Sequence, residues 1–337
     1  MPIILPKFSV QSVIPLSSLT LNGPVLTKGI LSSSFPRCWE QNYTGKDILV
    51  AIVDTGIDGN HPDLKGKVVK QINLTSEKIN SIHGTHVAGI IAANGLIKGG
   101  APNCSILDIK IISSTGGSVD NLIKAINLSV INNAHVINVS LGSSDLTPEQ
   151  ISRLQTVVNN AWNSGVICVA ASGNEGKSLC TVDGYEYPAS IKKAESVGCC
   201  DVGTNLNNIQ LSIFSNENDM VDITACGVNI LSTSLNNSYA ILSGTSMSTP
   251  HVSAMVANLY QCVKEKYPTL SGSSLSSTVI SLLNTNILKI SGCRIGPVNS
   301  DISYGLGFLR YDNSLDPILP SNTKYFYNNI FLGYNNI

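Results

Sequence analysis

The sequence predicts an α/β protein with a central, mostly parallel sheet flanked by helices. Three observations lead there: short apolar runs of strand length, helical periodicity in the stretches between them, and regular alternation of the two. Ile48 to Val53 reads as a strand buried on both faces, and Asp54-Thr55-Gly56 turns out of it. Val87 to Ala93 is a helix of small residues. Ser105 to Ile112 is a second strand, and Ser118 to Val130 a helix with Leu122, Ile123, Ile126 and Val130 on one face. Val136 to Ser140 is a third strand. Thr147-Pro148-Glu149-Gln150 is a capping box with proline at the first helical position, and Ile151, Leu154, Val158, Ala161 and Trp162 follow at helical spacing. Gly165 ends that helix and Val166 to Ala171 is the fourth strand. In parallel sheets ligands sit beyond the carboxyl ends of the strands. Asp54, Ser140-Leu141-Gly142 and Gly173-Asn174 all fall at such ends.

Composition narrows the function. The chain has 337 residues, enough for one large domain or two small ones, with 43% hydrophobic and 13% charged residues. Its apolar runs are far shorter than the roughly 20 residues of a membrane-spanning helix, so no membrane partner is expected. A net charge of −1 leaves no basic footprint for nucleic acid. Met1-Pro2-Ile3-Ile4-Leu5-Pro6-Lys7 is too short and too proline-broken for a signal peptide. The nine cysteines have no repeating spacing and read as buried free thiols of a reducing compartment. A cytoplasmic location follows from these two readings.

Three segments carry chemistry. Asp54-Thr55-Gly56 alone is ambiguous: it suits a turn, or half of an aspartic-protease dyad, which would need a second copy that this chain lacks. His83-Gly84-Thr85-His86-Val87-Ala88-Gly89 puts a histidine at the entry of a small-residue helix, where it suits a general base. The two histidines also suit a metal pair, but no zinc spacing supplies further ligands. Ser243-Gly244-Thr245-Ser246-Met247-Ser248-Thr249-Pro250-His251 sets Ser246 at a helix N-terminus, where the macrodipole favours developing negative charge. A serine there is ordinarily only an N-cap.

Taken together, these motifs come in the order Asp, His, Ser, and over residues 36–312 the chain resembles the subtilisin-like serine proteases (subtilases). That resemblance implies the subtilisin-like three-layer fold and a serine endopeptidase. It implies Asp54, His83 and Ser246 as catalytic triad, with His86 structural. It implies Asn174, in Ala171-Ser172-Gly173-Asn174-Glu175-Gly176, as oxyanion donor, joined by the Ser246 amide. Ser140, Leu141 and Gly142 resemble the strand that pairs with an extended peptide substrate, Ala171, Ser172 and Gly173 another wall, and Gly116 and Gly117, within Ser113 to Ser118, the opposite strand. Tyr187-Pro188 resembles a turn with a cis proline. Protein or peptide substrates in extended conformation are the implied partners, and self-association is left open.

Four positions depart from the family pattern. Ala93 to Pro102 is a shortened loop without a carboxylate, so the calcium site that many members carry there is expected to be missing. No cofactor is required for catalysis, and a structural calcium or sodium ion has no identifiable ligands; Asp58, Asp63, Asp183 and Glu186 match no metal loop. Ala225-Cys226-Gly227 replaces a familiar Ala-Pro-Gly. Asp120 stands where many members carry an aromatic residue, which favours a basic side chain at P4. No long propeptide precedes the domain. Instead residues 1–28 form an extension whose Ile4-Leu5-Pro6-Lys7-Phe8 is similar to the inhibitory segment of intracellular subtilisins. Residues 29–312 are expected to form the peptidase domain, and the Asn- and Tyr-rich residues 313–337 a tail. A pseudoprotease binding module, a dedicated precursor-processing protease and a metal-dependent hydrolase using His83 and His86 are the competing readings.

Overall fold

The four apolar runs read as strands, at Ile48, Ser105, Val136 and Val166, do become strands, because a run without polar side chains can be buried on both faces of a sheet. The computed structural model describes residues 2–3, 9–15, 24–176, 180, 182–203, 208–290, 292, 294–295 and 300–311. Its strands are β1 (Pro2–Ile3), β2 (Ser9–Pro15), β3 (Leu49–Asp54), β4 (Val68–Asn73), β5 (Ser105–Lys110) and β6 (Gly117–Ser118). Then follow β7 (Val136–Val139), β8 (Ile167–Ala171), β9 (Ala194–Val202), β10 (Ile209–Leu211), β11 (Ile223–Cys226) and β12 (Ile230–Thr233). The last are β13 (Ser238–Ser243), β14 (Ile287–Leu288), β15 (Arg294–Ile295), β16 (Ser300–Asp301) and β17 (Phe308–Leu309). The helices are α1 (Lys28–Ser32), α2 (Phe35–Glu40), α3 (His83–Ala92), α4 (Val119–Ile131), α5 (Pro148–Asn163), α6 (Thr245–Lys266) and α7 (Gly272–Thr285).

The main sheet has the order β14-β17-β11-β9-β8-β7-β3-β5-β4, with β10 added on β9. Only the β14–β17 and β10–β9 pairs are antiparallel. Alternate residues of each strand face opposite sides. Val50 and Ile52 of β3 join the core made with α3, α6 and α7, while Ala51 and Val53 join the core made with α4 and α5. This is the three-layer arrangement expected. Each of the buried valine and isoleucine side chains contributes about 1.5–3 kcal/mol.

Two helices, α4 and α5, begin within a residue of where the sequence says they should, whereas α3 begins at His83 rather than at the expected Val87. The Thr147 hydroxyl accepts from Gln150 N at 3.3 Å, and Thr147 N donates to the Gln150 side chain at 3.0 Å, so both halves of the capping box form. Gly165 follows α5 at φ +85°, a conformation that favours glycine. Ser118 caps α4 through Asn121 N. The Tyr187-Pro188 bond is cis, as the resemblance implied.

Two sequence expectations need revision. Seven cysteines are buried and free, but Cys180 is disulfide-bonded. The uniform-thiol reading therefore fails at that residue, and with it part of the case for a reducing compartment, because disulfides persist where the surroundings are oxidising. Among the seven, burial pushes Cys104, Cys168 and Cys226 to about 12, which leaves them inert at neutral pH. The segment before residue 29 is also not wholly outside the core: Val25 and Leu26 are buried, and Val25 bridges to Ile97. Further upstream, β1 pairs antiparallel with β6, Pro2 opposite Ser118 and Ile3 opposite Gly117. The next strand, β2, runs antiparallel to β13, from Ser9 opposite Ser243 to Pro15 opposite Ser238. Residues 4–8 and 313–337 lie outside the described residues. Among the described residues no helix is long and apolar enough to cross a membrane.

Candidate active site

Sheet order brings the functional segments together. β8, β7 and β3 are consecutive neighbours and parallel, so their carboxyl ends lie side by side. Asp54 ends β3, Ser140 follows β7, and Ser172 to Asn174 follow β8. The histidine and serine arrive on two helices that pack against the same face, α3 and α6.

Asp54, His83 and Ser246 are all fully buried. His83 Nδ1 lies 2.8 Å from Asp54 Oδ1 and 3.0 Å from Oδ2. An ionised carboxylate can only accept, so Nδ1 carries the proton and Nε2 is the basic nitrogen. The approach depends on Gly84: a Cβ there would stand 2.5 Å from Gly56 O and 3.2 Å from Asp54 Oδ1. Thr55 holds the junction. Its N–H donates to Asp54 Oδ1 at 2.7 Å, its hydroxyl accepts from Gly84 N at 2.9 Å, and its carbonyl accepts from Lys110 Nζ at 2.9 Å.

Ser246 is the second residue of α6, a helix buried from Thr245 to Val263. The N–H groups of a helix's first turn have no intrahelical acceptor and face whatever sits at its end. The Ser246 hydroxyl donates to Ser140 O at 3.0 Å, and the Ser140 hydroxyl returns a bond to Ser246 O at 3.1 Å. Asn138 Nδ2 donates to the same Ser140 hydroxyl at 2.9 Å. Asn174 Oδ1 accepts from both Thr245 N and Thr245 Oγ1 at 2.8 Å. Two donors on one oxygen fix the amide's orientation, with the NH2 on the opposite side.

Of the residues expected to line the substrate channel, Leu141 and Ala171 are buried. Gly142 and Gly173 have no side chain, and Ser172 N is bonded to Val197 O at 3.0 Å. Gly117 carries the β1 pairing, and Gly116, at φ +100°, closes a tight turn with Ser113. Asp120 lies at the surface and is paired with Arg153 at 2.6 Å.

The second histidine of the motif is engaged by backbone. His86 Nε2 faces Ile230 O and Ala240 O at 2.9 and 3.1 Å, and burial lowers it to about 3, keeping the ring neutral. Among the described residues no group of three or more His, Cys, Asp or Glu is placed to hold a metal ion. Asp63, one of the candidate cation ligands, has its oxygens occupied by protein donors: Leu96 N and Ile97 N at 2.9 Å, and the Tyr239 hydroxyl at 3.0 Å. The shortened loop after α3 is thus held by a carboxylate reaching in from outside it.

A central parallel sheet with serine, histidine and aspartate gathered at its strand ends defines the class: an α/β serine hydrolase of the subtilisin type. The Subtilase family matches residues 45–303, more than half of the chain. The chain therefore belongs to that family and is a subtilisin-like serine endopeptidase, acting on proteins or peptides. It is 38% identical over 255 residues to the major intracellular serine protease of Bacillus subtilis (strain 168), covering 72% of this chain and 77% of that one. It is 34% identical over 255 residues to an intracellular serine protease of Paenibacillus polymyxa, covering 72% and 75%. It is 39% identical over 236 residues to subtilisin E of Bacillus subtilis (strain 168), covering 68% of this chain and 59% of that protein.

Sequence reasoning missed Thr245 as the residue that orients Asn174, and Thr55 as the link that ties Asp54 to Gly84. The signal was there in each motif, in the residue adjoining the functional one.

Proposed function

We propose that Ser246 is the nucleophile, His83 the general base and Asp54 the orienting carboxylate, and that hydrolysis runs through an acyl-enzyme. The observation that carries this is the paired contact of Asp54 with His83 Nδ1, which leaves Nε2 as the proton acceptor. Rotation of the Ser246 hydroxyl from Ser140 O to His83 Nε2 would begin the reaction. Ser246 Oγ attacks the peptide carbonyl as His83 takes its proton. Asn174 Nδ2 and the Ser246 N–H stabilise the oxyanion, and His83 then protonates the leaving amine. Water, deprotonated by the same imidazole, releases the acyl group.

The extension is read as a built-in inhibitor. A nucleophile with no exposure cannot meet a protein substrate until something withdraws. β1 lies on the strand expected to bind substrate, and β2 on the strand that leads into Ser246. An antiparallel strand on a sheet edge is also how an extended peptide would bind. The functional reading is thus an intracellular-type protease held as a zymogen until residues 1 to about 20 are removed.

The test is reaction with a fluorophosphonate, read by intact mass, with casein hydrolysis in parallel. One adduct on the wild type, absent in Ser246→Ala together with hydrolysis, is expected. No adduct before or after removal of residues 1–20 would move the reading to a pseudoprotease. If deleting residues 1–20 leaves specific activity unchanged, the inhibitory role is lost.

A further inference from the structure

Glu186 is a buried carboxyl group that the mechanism does not use. Its neighbour Tyr187 is welded to Ser143 by two backbone bonds: Ser143 N to Tyr187 O at 3.1 Å, and Tyr187 N to Ser143 O at 3.0 Å. This places Glu186 against the end of the Ser140 to Ser143 segment. A Cβ on Gly142 would stand 2.8 Å from Glu186 Oε2, and a Cβ on Gly173 would stand 2.6 Å from Glu186 Cγ. The side chain therefore lies between the two glycine-bearing segments expected to flank the substrate, one of which begins at the Ser140 that bonds Ser246.

The side chain is only 8% exposed. Among the described residues no donor is hydrogen-bonded to its carboxylate and no cation pairs with it. The charged group bearing on it is Glu175, a second carboxylate, from the turn after Asn174. The other walls, the Gly142-Ser143 backbone and the Asn216 amide, are neutral; Asn216 Nδ2 is spent on Gly184 O at 3.1 Å. Burial first, and Glu175 second, raise Glu186 to about 8. An unpartnered buried carboxyl beside a second one is costly unless a cation arrives.

We propose that Glu186 forms the floor of the pocket for the substrate residue on the acyl side of the scissile bond (P1), and selects lysine and arginine there. The proposal rests on the protease reading above. Gly142 and Gly173 let both backbone segments close on the Glu186 side chain, so a long side chain laid between them ends at its carboxylate. Its cationic end meets Glu186, and Glu175 adds to the field. Removal of one such charged partner changes selectivity by about 10- to 100-fold.

The test uses the full chain, incubated until its activity is constant, and peptide p-nitroanilides that differ only at P1. Wild type is expected to cleave Lys and Arg substrates with kcat/KM about 10- to 100-fold above Phe and Leu. Glu186→Gln, which keeps the volume, should abolish or reverse that ratio. In wild type the ratio should climb between pH 6.5 and 9 as Glu186 ionises; in Glu186→Gln it should stay flat, a readout that a structural role would not move. Benzamidine, a planar cation, should inhibit wild type competitively where neutral benzamide does not, which needs no variant to fold. A wild type that prefers Phe or Leu and ignores the benzamidine charge overturns the proposal, as does an unchanged ratio in Glu186→Gln. Fluorophosphonate labelling of the same samples separates the failures. Labelled enzyme with the wrong selectivity sinks the pocket alone. Enzyme neither labelled nor active sinks the mechanism and the pocket with it.

Discussion

Replacing Gly84 by alanine tests whether the first turn of α3 is seated against β3 as closely as the proposed chemistry needs. The added Cβ would meet the Gly56 carbonyl oxygen at 2.5 Å and Asp54 Oδ1 at 3.2 Å. The carbonyl belongs to backbone held by the Thr55 hydrogen bonds, so it cannot swing away as a side-chain tip would. Reaching the 3.4 Å at which ordinary contact begins requires the two segments to part by about 0.9 Å. The same displacement stretches the His83 to Asp54 contacts, now 2.8 and 3.0 Å, beyond good hydrogen-bond length. A misplacement of about 1 Å at a catalytic group costs roughly 10²-fold in rate. Overpacking of this kind also destabilises by about 1–3 kcal/mol. The assay is kcat/KM on a peptide p-nitroanilide, with fluorophosphonate labelling rate and thermal midpoint measured on the same preparation. A fall of about 10²-fold in both rates, with a lowered but cooperative melting transition, is the expected result. Wild-type kcat/KM in a folded Gly84→Ala protein would refute the reasoning, because it would mean that the Asp54–His83 geometry does not govern the rate.

Three further outcomes follow from the same contacts. Asn174→Ala should lower kcat by about 10²–10³ with little change in KM, a magnitude established for the corresponding donor of subtilisin rather than worked out from this geometry; steady-state kinetics on one substrate checks it. Asp63→Ala should destabilise the chain by about 3 kcal/mol or more, because Leu96 N, Ile97 N and the Tyr239 hydroxyl lose their acceptor together, and added calcium should not restore the melting temperature. Glu195 is raised by burial first and by Asp222 second, so the folded chain holds its proton more tightly than the unfolded chain. Its contribution is therefore fully present below the ordinary carboxyl range and is lost as pH rises through the folded-state value. Glu195→Gln should accordingly raise the melting temperature at pH 8 and change it little at pH 4, as read by calorimetry at the two pH values.

Much of the fold is legible in the sequence. β3, β5, β7 and β8 lie within two residues of their apolar runs, and the start of α5 was legible because Thr147, Pro148 and Gln150 act locally. The later strands β9, β11, β12 and β13 left weaker traces, since Ser, Thr and Cys interrupt their apolar residues, as in Ile223-Thr224-Ala225-Cys226. The cysteines misled for a related reason: a lone Cys180 looks the same in sequence whether its sulfur is free or bonded.

The sequence by itself determined the chemical cast: Asp54, His83, Asn174 and Ser246 stand in motifs whose identity is set by residue type and short spacing. It also determined the small residues that permit close approach, Gly84 among them. Only the tertiary structure decided which distant groups meet. Thr245 turns the Asn174 amide, Asp63 reaches across 33 residues to hold Leu96, Arg153 lies beside Asp120, and Glu186 lies between Gly142 and Gly173 with no partner for its carboxylate among the described residues. The physical reason is that a side chain's charge state and partners depend on burial and on donors brought from elsewhere in the chain. Local spacing carries no record of either.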